Sequence, residues 1–189
     1  MTQRIGLFGG SFDPFHLGHF LIARTALETY RLRKIIFLPC AQSPLKKNRP
    51  VAGDRARLAM LRSGLRGHGW AEVSDWEICQ RGVSYTVDTV KAMARRFPSR
   101  PMDWIMGSDQ WALLPAWKNP EELGRQLRFL VFPRPESPRV RRGFFMREIP
   151  MRIDISATLV RQRIRKKLPI DGLVLPAVEG MIRRQRWYR

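Results

Sequence analysis

The chemistry in this chain concentrates near its start, in Gly9-Gly10-Ser11-Phe12-Asp13-Pro14-Phe15-His16-Leu17-Gly18-His19. Paired glycines let backbone amides approach an anion closely, and two imidazoles add further donors. Arg4 to Phe8 reads as a short buried strand that stops at Gly9-Gly10, and a helical pattern begins near Gly18 with Phe20, Leu21, Ala23, Leu27 and Tyr30. The segment therefore joins a strand to the positive end of a helix, as a phosphate site requires. His16 and His19, three residues apart, face one ligand from that helix start. A zinc pair is the competing reading, but no Cys cluster or third ligand accompanies them, and Mg²⁺ prefers oxygen. The chain lacks G-x-x-x-x-G-K-S/T, which argues against a P-loop kinase. It also lacks G-x-G-x-x-G after the first strand, which argues against a dinucleotide-binding dehydrogenase.

The elements that must position this segment repeat the same unit. A second apolar run, Ile35 to Leu38, ends at Pro39, and Asp54 is expected to cap a helix with Leu58, Leu61 and Leu65 on its inner face. Further strands are expected at Ala71 to Ser74, Met102 to Met106 and Arg128 to Phe132, and helices at Val87 to Arg96 and Pro120 to Gln126. Pro133 to Phe145, rich in Pro and Arg, reads as an exposed, mobile loop. A helix then starts at Ser156 with Leu159 and Ile164, and another runs from Pro176 to Arg184. This alternation predicts an α/β fold: a Rossmann-like, mostly parallel sheet with helices on both faces and ligands beyond the carboxyl ends of its strands.

Length and composition set the frame. At 189 residues with 44% hydrophobic content, residues 1–189 are expected to form a single domain, with a basic C-terminal helical part from about residue 154. No stretch approaches the roughly 20 apolar residues of a membrane span, and no export signal is visible. Cys40 and Cys79 lack CxxC spacing and read as buried thiols in a reducing cytoplasm, the expected location. The formal charge of +19 suits nucleic acid but equally an enzyme that steers polyphosphates inward.

The His16-Leu17-Gly18-His19 segment resembles the nucleotidyltransferase superfamily, and the longer match from Gly9 to His19 is similar to bacterial nicotinate mononucleotide adenylyltransferases. His16 supports that branch, because pantetheine phosphate adenylyltransferases more usually carry Thr there. Three later segments agree in order: Ser84-Tyr85-Thr86-Val87-Asp88-Thr89, Gly107-Ser108-Asp109 with Trp117 beyond it, and Ile155-Ser156-Ala157-Thr158-Leu159-Val160-Arg161. The resemblance implies a nucleotidyltransferase-type fold in which His16 and His19 are the catalytic pair holding the ATP phosphates. With them, Gly9, Gly10, Ser11, Phe12, Gly18, Lys46, Gly107, Asp109, Ile155, Ser156, Thr158 and Arg161 bind ATP. Ser84, Tyr85, Thr86 and Trp117 then bind the acceptor, the indole stacking on a pyridine ring whose carboxylate meets amides near Thr86. Ser156 is a good N-cap, and Arg161 near the same helix end has the fork of donors a phosphate needs.

Two departures stand out. Pro44-Leu45-Lys46 replaces the usual Pro-His-Lys, and Ala157 stands where a second Ser is common. The implied reaction transfers the adenylyl group of ATP to nicotinate mononucleotide on the route to NAD, with Mg²⁺ arriving on ATP and no metal held tightly by the protein. ATP and nicotinate mononucleotide are the expected partners, with no membrane; nucleic acid is disfavoured despite the basic charge, and a homo-oligomer is compatible with the sequence. The alternatives are pantetheine phosphate adenylyltransferase and a basic RNA-binding protein on the same fold.

Overall fold

Alternate residues of the first strand serve two cores. Ile5 and Leu7 point to one side of the sheet, and Phe8 to the other. The same division runs through the strands beside it, which is why each reads as a largely apolar run: a parallel strand is covered on both faces. The computed structural model describes residues 3–45, 48–134 and 136–189. In chain order the elements are β1 (Ile5–Gly10), α1 (Leu17–Thr29), β2 (Lys34–Pro39), α2 (Asp54–Gly64), β3 (Ala71–Val73), α3 (Trp76–Gln80), α4 (Thr86–Arg96) and β4 (Met102–Gly107). They continue with α5 (Ser108–Ala112), a 3₁₀ turn (Leu114–Ala116), α6 (Pro120–Gln126), β5 (Leu127–Phe132), β6 (Phe145–Glu148), α7 (Ala157–Arg165) and α8 (Pro176–Gln185).

The six strands form one sheet in the order β3-β2-β1-β4-β5-β6, and every neighbouring pair is parallel. One core joins Phe8, Phe37, Ile105 and Leu130 to α1, α2, α7 and α8 through Ala23, Met60, Val160 and Val178. The other joins Leu7, Ile36, Trp104 and Phe129 to α4, α5 and α6 through Val90, Trp111 and Leu123. Helices on both faces and the parallel sheet agree with the sequence expectation. Among the described residues no helix is long and apolar enough to cross a membrane.

Four local expectations need correction. Gly53, not Asp54, occupies the N-cap position of α2 and makes no side-chain cap bond. Asp54 lies one residue inside and pairs with Arg57 at 2.5 Å, because that fully buried guanidinium needs a counter-charge. Arg57 and Met60 are fully buried on the inner face where Leu58 was expected, and Leu58 is only half-buried. The loop after β5 does not run through Phe145: that residue opens β6, an edge strand whose mixed exposure leaves no period-two pattern. The loop is also tethered, since Trp111 Nε1 donates to Arg139 O at 2.8 Å and Arg141 Nη2 to Ala112 O at 3.0 Å. Finally, Cys40 is buried but Cys79, on the short α3, is exposed.

Candidate active site

The strand order changes direction between β1 and β4, and in such sheets a crevice opens beyond the carboxyl ends of those two strands. A cleft of about 720 Å³ lies there. The loops after β1, β2 and β4, the start of α4 and the start of α7 form its walls. Gly9 is required by packing: a Cβ there would lie 2.6 Å from the Trp104 ring.

His16 is the N-cap of α1, and His19 is its third helical residue. His19 N donates to His16 Nδ1 and His16 N to His19 Nδ1, both at 3.3 Å. This is a capping box built from imidazoles in place of the usual Ser and Glu. The rings stack with centroids 3.6 Å apart. Because each Nδ1 accepts, the neutral ring carries its proton on Nε2, so both histidines are fixed as Nε2–H donors. Phe12 and Phe15 flank His19 at 4.9 and 5.8 Å and hold its ring. Gly18, outside the cleft lining, leaves room for the His16 ring, 3.0 Å from where its Cβ would be.

Burial, reinforced by the charge of Arg134, lowers the His16 pKa from 6.5 to about 3. The unfolded chain thus takes up a proton that the folded site refuses. This contribution to stability is complete above pH 6.5 and is lost as pH falls toward 3, with a slope of up to about 1.4 kcal/mol per pH unit. Urea unfolding between neutral pH and about pH 4 should show His16→Asn losing stability less steeply than the wild type. Equal slopes would contradict a buried neutral imidazole.

The loop after β1 is braced from three directions. Arg161 Nη1 donates to Asp13 O at 2.7 Å and its Nη2 to Thr158 Oγ1 at 3.2 Å, which clips α7 to the loop. Ser156 is the N-cap of α7, its hydroxyl oxygen accepting from Leu159 N at 3.1 Å. Arg57 Nη1 donates to Ser11 O at 2.8 Å. The Asp13 carboxylate accepts from Val51 N at 2.7 Å, Ala52 N at 3.0 Å and the hydroxyl of Tyr188, the penultimate residue, at 2.8 Å. Burial and the Asp13 charge push the Tyr188 phenol above its ordinary value, so it remains a donor. Arg49, Lys118, Arg134 and Arg161 line the cleft together with the acidic Asp13, Glu77 and Asp109.

The opposite end is built by Ser84, Tyr85 and Thr86. Tyr85 is the N-cap of α4 and makes no side-chain cap bond; its carbonyl accepts from Asp88 N at 3.0 Å, so the amides that no cap engages are those of Thr86 and Val87. Ser84 Oγ accepts from Ala41 N at 3.1 Å. Trp117 packs edge-on against Trp104 at 6.2 Å and lines the cleft, with its indole N–H buried and lacking an acceptor among the described residues.

The cleft thus brings together Gly9, Gly10, Ser11, Phe12, His16, His19, Gly107, Asp109, Ile155, Ser156, Thr158 and Arg161 with Ser84, Tyr85, Thr86 and Trp117. Lys46 lies outside the described residues. Sequence reasoning missed Asp13, Arg57, Glu77 and Arg134. Asp13 sits inside the recognised motif, but its partners Val51, Ala52 and Tyr188 are distant in the chain. Arg57 is one of 35 basic residues, and nothing local marks it as buried.

A parallel sheet with a His-x-Gly-His loop at its switch point defines a nucleotidyltransferase, and residues 7–163 match the cytidylyltransferase-like family model. The chain is 39% identical to the probable nicotinate-nucleotide adenylyltransferase of Methylacidiphilum infernorum, over 98% of this chain and 92% of that one. It is 37% identical to the protein of the same name from Opitutus terrae, over 99% and 98%. Among solved structures, Plasmodium falciparum nicotinic acid mononucleotide adenylyltransferase complexed with NaAD shares the fold, with TM-score 0.78, 18% identity and coverage of 98% and 97%. The chain belongs to the cytidylyltransferase-like family and, within it, to the nicotinate-nucleotide adenylyltransferases, which makes it a nucleotidyltransferase of NAD biosynthesis.

Proposed function

We propose that this cleft joins the adenylyl group of ATP to the 5′-phosphate of nicotinate mononucleotide, forming nicotinate adenine dinucleotide and pyrophosphate. The observation that carries this reading is the reciprocal His16–His19 capping box, which fixes two Nε2–H donors at the positive end of a 13-residue helix. An oxygen of the acceptor phosphate attacks the α-phosphorus in line. The bond from the α-phosphorus to the bridging oxygen breaks, and pyrophosphate leaves with the electron pair. The acceptor phosphate is already anionic at neutral pH, so neither a general base nor a protein nucleophile is needed. Catalysis rests on positioning and on donors aimed at the developing charge. His19 serves the transferring phosphoryl oxygens, while His16, Ser156 and Arg161 hold the rest of the polyphosphate. Mg²⁺ enters bound to the ATP phosphates. The cytoplasm is the proposed location, supported by two cysteines that form no disulfide.

Arg161→Ala should chiefly raise the KM for ATP, by roughly 10- to 100-fold, since a charge-assisted bond is worth about 1.5–3 kcal/mol and its ligand is present before reaction. An unchanged KM would assign Arg161 only to its bracing bond with Asp13 O. The function itself is tested by incubating the protein with ATP, Mg²⁺ and either nicotinate mononucleotide or phosphopantetheine while following pyrophosphate. Release only with phosphopantetheine would overturn the acceptor, and release with neither would overturn the activity.

A further inference from the structure

We propose that Glu77 is a positioning residue for acceptor selectivity, its carboxyl group holding Thr89 and so fixing the turn that presents the first amides of α4. The proposal rests on the reading of that turn as the site for the acceptor's pyridine substituent. Glu77 comes from α3, is 5% exposed and lines the cleft beside Ser84, Tyr85 and Thr86. Thr89, on the first turns of α4, is fully buried and donates from Oγ1 to Glu77 Oε1 at 2.7 Å. The Ser84 hydroxyl acts with that of Thr89 to hold the carboxyl's pKa down against burial. Ser84 is itself anchored, accepting from Ala41 N at 3.1 Å just beyond β2. The segment from residue 84 to residue 89 is therefore held at one end by Ala41 and at the other by Glu77.

A buried carboxyl is costly, and burial indeed pushes its pKa above the ordinary value, with the two hydroxyls and Arg57 acting in the opposite direction. A purely structural stitch between a loop and a helix does not need an acid. What the carboxyl offers is a buried acceptor for the Thr89 hydroxyl, which fixes the start of α4 without using its backbone amides. Those amides have no competing side-chain cap at Tyr85. Their direction is then set by the turn alone. A ligand carboxylate accepts from two aligned donors, whereas a carboxamide offers one acceptor, so loosening the turn penalises the acid form more than the amide form.

The experiment measures kcat/KM for nicotinate mononucleotide and nicotinamide mononucleotide, together with the ATP KM, in the wild type, Glu77→Gln, Glu77→Ala and Thr89→Val. Glu77→Ala should lower the nicotinate-over-nicotinamide ratio by about tenfold, the value of roughly one charge-assisted hydrogen bond, and leave the ATP KM within about twofold. Glu77→Gln, which keeps one acceptor oxygen, should fall between the wild type and Glu77→Ala. Thr89→Val, nearly isosteric, should shift the ratio the same way and decides the matter if Glu77→Ala does not fold. An unchanged ratio with only a lower Tm would overturn the proposal, as would a parallel rise in the ATP KM. A wild type inactive on nicotinate mononucleotide would instead overturn the function on which it rests.

Discussion

His19→Ala is expected to lower kcat by on the order of 10²-fold or more, because removing one donor from a developing oxyanion typically costs about that. The geometry explains why no neighbour replaces it. The Nδ1 of His19 is already committed to His16 N, so the donor in use is Nε2–H, and Phe12 and Phe15 hold the ring in its plane. The fold should survive. Only one half of the capping box is lost, since the His16 ring still accepts from the backbone N–H of residue 19. His19→Asn sharpens the test, because its shorter side chain does not extend as far as the imidazole Nε2. Near-normal turnover in either variant, with circular dichroism unchanged, would remove His19 from the mechanism.

The second large effect concerns the acceptor. Nicotinate mononucleotide should be preferred over its amide by roughly 10- to 100-fold or more in kcat/KM, since one charge-assisted hydrogen bond is worth about 1.5–3 kcal/mol and each 1.4 kcal/mol is tenfold. The amide form brings an NH₂ group against a backbone N–H, so donor meets donor. Trp117 cannot make this distinction, as both pyridine rings are flat and offer similar faces. Trp117→Ala should therefore weaken both acceptors and leave their ratio nearly intact. Equal kcat/KM values in the wild type would refute the assignment of the α4 amides.

The residues explain what was readable beforehand. β1, its glycine-rich loop and α1 depend on near neighbours, so the segment from Gly9 to His19 reveals its own geometry. β2, β4 and β5 are buried on both faces and appear as largely apolar runs, broken only by Lys34, Asp103 and Arg128. β6 lies at the sheet edge, with Phe145 54% exposed, and carries no such signal. The helices α3 and α5, of five residues each, are too short to show a helical period. Asp13, Arg57 and Glu77 owe their roles to partners brought together by the tertiary fold: Tyr188 lies 175 residues from Asp13, and Ser11 lies 46 from Arg57. Local pattern holds no record of such pairings. For the same reason the sequence predicts a parallel sheet but not the order that puts β1 beside β4.

Direct transfer is the central claim, and the stereochemical course at the α-phosphorus tests it most directly. The protein would be supplied with one diastereomer of ATP carrying sulfur on the α-phosphate, together with nicotinate mononucleotide, and the configuration of the thio-dinucleotide determined. A single in-line displacement by the acceptor phosphate predicts inversion. Retention, the outcome of two displacements through an adenylylated side chain, would contradict it.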